Sequence, residues 1–534
     1  MRLNLAAHCL ARNARERGEQ TALMFLSANR VEYSATYNEI TRECLRMAAA
    51  LRSMVSPGER IALRLRHGPE YALAFFAANA AGCVPVPLSP QLQAEEVAFI
   101  VRDADCALSL YDATLPCPDW NQISHSTSRS NFPSASGSKK QAIELKSFFI
   151  TVREQPDSSL YFADTTAEDP AFLVYTSGTG GYQKGVLHAQ RSILGREPMQ
   201  PGWHGMNSSD RVLHAGALNW TYTLGVGLMD PWCAGATACL HTGTIQPTDW
   251  PRLWQEYNIT MFAAVPSLYR RILKYDDLRT YDLKALRHAL TAGEALLPDL
   301  LHAWRQATDK PMYEALGMSE VSTYISSGPQ TPVRAGSPGR PQPGRRVAIL
   351  LADQLQHDES ENKRYELAPT DAIGLLAIHR SDPGLMLGYW NRPEEERAVY
   401  ADEWFIGGDL ARIDADGYVY YHGRDNELMN ASGYRVSPLE VERCLQNHAD
   451  VAEVAVTEVR LPSQVSLIVA YIVPVDAELP HAEERKRNAM ALHILRYAAE
   501  HLAEYKCPRK VEFVDSLPRT ASGKIQRRLL AERK

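Results

Sequence analysis

The stretch that most constrains this chain runs from Val174 to Val186 and reads VYTSGTGGYQKGV. An apolar run from Ala171 to Tyr175 has the character of a strand. It delivers the chain into a segment holding Thr176, Ser177, Gly178, Thr179, Gly180, Gly181 and Lys184. Glycines let backbone N–H groups approach an anion, hydroxyls donate to phosphate oxygens, and the lysine adds a movable positive charge. It is not a Walker A loop, because Gln183 precedes Lys184 and Gly185 follows it. Taken alone, the segment suits a phosphate cradle and a solvated surface turn equally well. Its context has to decide.

With 534 residues, the chain is too long for one ordinary core, so two or more domains are expected. Its 45% hydrophobic and 22% charged content places it among soluble globular proteins. A net charge of −6 gives no reason to expect nucleic acid as the main partner. The charge is unevenly spread: from Tyr505 to Lys534 nine Lys/Arg face three Asp/Glu. That tail is either a solvated surface or one that meets phosphates. Nine cysteines without a C-x-x-C pair, and odd in number, argue against a disulfide framework and for a reducing compartment, the cytoplasm. No apolar stretch has the length of a membrane span. The N-terminus is arginine-rich and acid-free before Glu16, yet Leu5, Leu10 and Ala14 suit a packed first helix rather than a transit peptide. H-E-x-x-H, Cys/His clusters and G-x-S-x-G are absent.

Along residues 59 to 110, GERIALRL, CVPVPL and CALSLYD read as strands, and EYALAFFAANAAG and EEVAFIVRDA as helices. This alternation predicts an α/β fold with parallel strands. Residues 113–146 are rich in Ser, Asn, Pro and Lys and read as a surface insertion. Beyond the glycine-rich loop, WPRLWQEY, TMFAAVP, SLYRRILKY and HALTAGEALLP continue the helix and strand signals. Composition shifts again near His422. There Ser437-Pro438-Leu439-Glu440 has the pattern of a capping box with proline at the first helical position. VAEVAVTEV, LIVAYIVP, a helix from about Ala482 to His501, and KVEFV then predict a small α+β unit, with the joint at Arg424 to Glu427.

The glycine-rich loop resembles the Y-T-S-G-T-T-G-x-P-K-G signature of the adenylate-forming superfamily, which includes acyl-CoA synthetases, aryl-CoA ligases, adenylation domains and firefly luciferase. Gly180 stands for the second threonine and Gln183 for the proline. TAGEALLP, EALGMSE, the block from Trp404 to Glu442, and PRTASGKIQR follow in the order the superfamily uses, so the likeness spans nearly the whole chain. It implies a large N-terminal domain of mixed α/β sheets with helices (1–423), a hinge (424–427) and a small mobile α+β C-terminal domain (428–534).

The resemblance also implies roles. Thr176, Ser177, Gly178, Thr179, Gly181 and Lys184 would hold the ATP phosphates. The backbone of Gly293, Glu294 and Ala295 would lie against adenine, although TAGEALLP by itself says only strand, turn and helix start. Ser319 and Glu320 stand for the Thr-Glu of Y-G-x-T-E, with Leu316 at the tyrosine position; Glu320 would hold Mg²⁺, and is otherwise a surface charge. Asp409 and Arg424 would grip the ribose. Asn426 occupies the pivot, where relatives carry Asp or Lys. Ser432, Gly433 and Tyr434 would line the CoA tunnel, or form a simple turn. Lys524 would be the main catalytic side chain of the first half-reaction, stabilising charge at the α-phosphate, with Thr179 and Glu320 assisting. Trp220, Tyr222 and Gly317 fall in the acyl pocket, although both aromatics suit a core equally.

From His214 to Leu228 there is no acid, which favours a substrate with an uncharged tail. Tyr222 to Gly227, AGEAL and AGSPGRP look closest to benzoate-type and medium-chain acyl-CoA ligases. The implied activity is ATP-dependent ligation of an aromatic, cycloaliphatic or short to medium-chain acid to CoA, through acyl-AMP. The alternatives are an acyl-AMP ligase that loads a separate carrier protein, and a non-catalytic acyl- or nucleotide-binding relative.

Overall fold

In the computed structural model the chain is described except at residues 121–139, 157–158, 178–182, 352–355, 358–362, 426–428, 432–433, 461–465, 503, 520–524 and 533–534. Packing separates it into two units. One comprises Met1–Arg346 and Ile378–Glu403, the other Val347–Ala377 and Trp404–Lys534.

The first unit is built on a nine-stranded sheet among the described residues. Its six inner strands run parallel, in the order Met312–Met318, His288–Ala292, Met261–Ala264, Arg211–His214, Thr237–His241 and Thr21–Leu26. Antiparallel strands close both edges. Alternate residues of each strand serve opposite faces. Leu213, Phe262 and Ala289 pack with Trp254, Tyr269 and Trp304. Their neighbours Val212, Met261 and Leu290 pack with Trp203 and Tyr222. Burial on both faces explains why these strands read as continuous apolar runs.

A second parallel sheet carries the repeating pattern of residues 59–110: Val84–Pro87, Arg60–Arg64 and Cys106–Tyr111. The helix Pro69–Ala80 is buried from Tyr71 to Ala80, as its unbroken apolar character predicts. One expectation needs correcting. Gln141–Glu144 is not part of an insertion: it pairs in parallel with Cys106–Tyr111 as a fourth strand, and the helix Leu145–Arg153 follows directly. Four residues are too few to show a strand pattern next to a Ser/Lys-rich stretch. Residues 121–139 of that stretch lie outside the described residues.

In the second unit, Trp404–Ile413 pairs antiparallel with Val419–Arg424. Further along, Val451–Arg460, Ser466–Pro474 and Lys510–Phe513 form a sheet. Its core is filled from the helices Pro438–Gln446 and Glu484–His501 by Val441, Leu445, Ile494 and Ala498. The expected capping box does not form. Ser437 occupies the cap position, but its hydroxyl donates to the His422 carbonyl at 2.5 Å, and Glu440 pairs with Lys506 at 2.5 Å. Tertiary partners outcompeted the local ones. Among the described residues, no helix is long and apolar enough to cross a membrane.

Candidate active site

The glycine-rich loop joins two antiparallel strands, Pro170–Ser177 and Gln183–Ala189, in which Thr176 faces Lys184 and Ser177 faces Gln183. Gly178, Thr179 and Gly181 lie outside the described residues. The hairpin base is tightly packed. A Cβ at Gly185 would stand 2.9 Å from Leu173 Cδ1 and 3.0 Å from Trp390 Cβ, which accounts for glycine after the lysine.

A short strand, Gly388–Tyr389, pairs with Gln183–Ala189 on its other edge and places Tyr389 opposite Val186. The Lys184 ammonium lies 3.7 Å from the Tyr389 ring centroid, within cation–π range, and 3.9 Å from Glu395 Oε2. The Tyr389 phenol donates to Glu320 Oε1 at 2.7 Å. The Glu320 carbonyl accepts from the Met386 N–H at 2.7 Å, and the Ser319 carbonyl is 2.8 Å from His188 Nε2. With that carbonyl as acceptor, Nε2 carries the proton. Burial keeps His188 neutral, with a pKa down at about 4, and its ring stacks on Phe172 at 4.5 Å. Ser319 is therefore tied directly to the hairpin that carries the glycine-rich segment, and Glu320 to the segment that pairs with that hairpin. Sequence reasoning did not single out Tyr389. The available signal was the aromatic pair in GYWNRP, next to turn residues.

Gly293 ends the strand His288–Ala292 at φ +90, a backbone conformation in which a side chain is strained. A Cβ here would also meet Trp220 Cζ2 at 3.0 Å. The Glu294 carboxylate accepts from the Ser267 amide and hydroxyl, each at 3.1 Å, in the first turn of the helix Pro266–Tyr275. A negative charge is favourable there. Ala295 follows, half-buried. Trp220 is half-buried and meets Tyr222 edge-on at 5.3 Å. Tyr222 is itself buried, with its hydroxyl donating to the Leu290 carbonyl at 3.3 Å. Gly317 sits where a Cβ would come 2.3 Å from the Ser322 carbonyl, so glycine lets the two strands of that hairpin approach.

A buried ion pair lies under this surface. Arg196 donates Nε to Asp230 Oδ1 at 2.5 Å and Nη2 to Oδ2 at 2.7 Å, while its Nη1 donates to the Ser322 hydroxyl at 2.7 Å. Burial alone would raise the Asp230 carboxyl, but the guanidinium outweighs it and holds the carboxyl below its ordinary range. Glycine at 225 makes room: a Cβ there would be 2.2 Å from Arg196 Nη2. Arg196, Ser319 and Ser322, with Leu224, Val321 and Phe172, help to line a cavity of about 20 Å³. No sequence pattern marks this pair, whose members are 34 positions apart.

In the second unit, Asp409 and Arg424 are register partners on adjacent strands, with Arg424 Nη1 donating to Asp409 Oδ1 at 3.2 Å. Tyr421 donates to the same oxygen at 3.3 Å. Tyr434 begins a strand, Tyr434–Val436, that pairs with Met429–Ala431. Asn426, Ser432, Gly433 and Lys524 lie outside the described residues.

A hairpin carrying the glycine-rich segment, linked through Tyr389 to Glu320, on an α/β unit followed by an α+β unit, matches an adenylate-forming ligase. Residues 10–390 match the AMP-binding enzyme family and residues 440–524 its C-terminal domain. The chain is 31% identical over 501 residues to a 3-hydroxybenzoate–CoA ligase of Aromatoleum sp. (strain CIB), covering 93% of this chain and 91% of that protein. It resembles the crystal structure of an anthranilate CoA ligase in complex with anthranoyl-AMP, with a TM-score of 0.82 at 28% identity over 98% of this chain and 96% of that one. It also resembles a benzoate CoA ligase from Burkholderia xenovorans LB400, with a TM-score of 0.81 at 27% identity over 99% and 100%. This chain belongs to the AMP-binding enzyme family, as an AMP-forming acid–thiol ligase.

Proposed function

We propose that the protein activates an aromatic carboxylic acid with ATP and transfers the acyl group to CoA. The observation that carries this reading is the contact series Lys184–Tyr389–Glu320, which couples the phosphate hairpin to the glutamate expected to meet the cation. The relatives that act on 3-hydroxybenzoate, anthranilate and benzoate support an aromatic acid. The absence of any acid from His214 to Leu228 suits the uncharged tail of such a substrate.

In the first step a carboxylate oxygen attacks the α-phosphorus, forming acyl-AMP and releasing pyrophosphate. Thr176, Ser177, Gly178, Thr179, Gly181 and Lys184 hold the departing phosphates, and Lys524 neutralises charge that accumulates at the α-phosphate. Gly293, Glu294 and Ala295 present backbone to adenine, and Asp409 with Arg424 takes the ribose hydroxyls. Trp220 and Gly317 shape the acyl side, with Tyr222 behind them. Glu320 suits Mg²⁺: it is a hard oxygen donor whose Oε1 accepts the Tyr389 hydroxyl, so its orientation is set beforehand. When bound, the ion would offset negative charge on the phosphates. In the second step, rotation about Asn426 would bring Ser432, Gly433 and Tyr434 to the site, and the CoA thiol attacks the acyl carbonyl and displaces AMP. We place the protein in the cytoplasm, which suits nine cysteines held as thiols.

The test is exchange of labelled pyrophosphate into ATP with benzoate, its hydroxy and amino derivatives, and linear acids, followed by acyl-CoA release on adding CoA. Exchange with no acid sinks the reading. Exchange without acyl-CoA release moves the acceptor to a carrier protein.

A further inference from the structure

Away from this site, the helices Leu5–Arg17 and Asp230–Ala234 bring two cysteines together across 224 positions, with Cys9 Sγ 3.5 Å from Cys233 Sγ. Cys9 is fully buried; Cys233 is half-buried, and His8 beside it is exposed. The backbone around the pair is clamped. Arg12 Nη2 donates to the Cys233 carbonyl at 3.0 Å, and Asn13 Nδ2 donates to the carbonyls of Trp232 at 2.5 Å and Cys9 at 3.1 Å. Cys233 is therefore the more exposed residue of the two, and the Cys9 sulfur lies against its sulfur at van der Waals contact.

We propose that Cys233 is a peroxide-reactive thiol and Cys9 its resolving partner. The Cys233 thiolate attacks one oxygen of a peroxide, the O–O bond breaks, and Cys233 becomes a sulfenic acid as hydroxide or an alkoxide leaves. The Cys9 sulfur then gives up its proton, bonds to the Cys233 sulfur and displaces the sulfenic oxygen as water. Two thiols are oxidised to a disulfide and the peroxide is reduced by the same two electrons. Closing the pair requires the sulfurs to approach from 3.5 Å to about 2.05 Å. That is a change of the order of a rotamer adjustment.

The local charges agree. The hydrogen bond from Cys9 holds the Cys233 thiol below its ordinary range; burial opposes this, His8 adds to it, and Asp230 opposes it. Burial, reinforced by Cys233, pushes the Cys9 thiol well up, so Cys9 is the proton-bearing member. The Cys233 sulfur in turn raises the His8 imidazole. An attacking thiolate beside a protonated resolving thiol is the polarity the chemistry needs.

Native protein would be treated with hydrogen peroxide, quenched with N-ethylmaleimide and digested. The expected result is a Cys9–Cys233 linked peptide that dithiothreitol removes and that is absent from C9S and C233S. In C9S or C9A, dimedone should label Cys233 as the trapped sulfenic acid. Without any substitution, alkylation of Cys233 in wild-type protein should reach half its maximal rate well below the pH of about 8.5 typical of cysteine. A wild-type digest lacking the linked peptide, with Cys233 recovered as thiol or sulfinate, would overturn the proposal. So would an alkylation profile at or above the ordinary cysteine range.

Discussion

The Tyr389 phenol donates to Glu320 Oε1 at 2.7 Å while its ring faces the Lys184 ammonium at 3.7 Å. One side chain thus contacts two members of the proposed phosphate site, and the two contacts separate by chemistry. Tyr389→Phe keeps the ring and deletes the donor. Loss of such an orienting partner costs roughly 10- to 100-fold in metal affinity or activity. Pyrophosphate exchange should fall by about that factor, with part of the loss recovered at high Mg²⁺. An unchanged Mg²⁺ dependence would separate Tyr389 from the cation.

Gly293 and Trp220 form a second coupled pair. Gly293→Ala places a Cβ at φ +90 and 3.0 Å from the Trp220 ring. Strain of this kind costs about 1–3 kcal/mol. The variant should be destabilised by that order in urea and show raised KM for both acid and ATP. Adding Trp220→Ala should relieve the steric part of the stability loss but not the backbone part. Wild-type stability and KM in the single variant would refute the close approach.

Removing one partner of the Arg196–Asp230 pair strands a buried charge. Asp230→Asn should destabilise the fold by about 3–5 kcal/mol, and Arg196→Met with Asp230→Leu by considerably less. Equal losses in the two proteins, measured by urea unfolding, would show that the pair itself contributes net stability.

Burial keeps five imidazoles of the first unit neutral: His188, His204 and His288 at about 4, and His67 and His214 at about 3. Unfolded, each titrates near 6.5. Their folded-state pKa values are depressed, so the unfolded chain binds more protons below 6.5. The stability they confer is complete above that pH and is lost as pH falls toward 4 and then 3. Unfolding free energy should therefore drop between pH 6.5 and 4 with a slope approaching about five protons. His188→Asn should lower that slope by about one. An unaltered slope would mean that His188 is protonated in the native state.

Lys524→Ala should lower acyl-AMP formation by about 100-fold or more while sparing thioester formation from preformed acyl-AMP. Equal losses in both half-reactions would move Lys524 out of the adenylation step.

The α/β class and the order of the motifs could be read without coordinates because they depend on local pattern. Alternating apolar runs imply strands and helices whatever packs on them, and the glycine-rich loop needs its residue types within a dozen positions. The short strand Gln141–Glu144 was lost against its polar neighbours, and the capping box at Ser437 gave way to longer-range bonds. Tyr389 against Glu320, Arg196 against Asp230, and Cys9 against Cys233 depend on residues 69, 34 and 224 positions apart. No periodicity encodes such distances. Only the packing of strands and helices decided which hydroxyl meets which carboxylate, because a hydrogen bond requires ångström placement that composition and spacing do not specify.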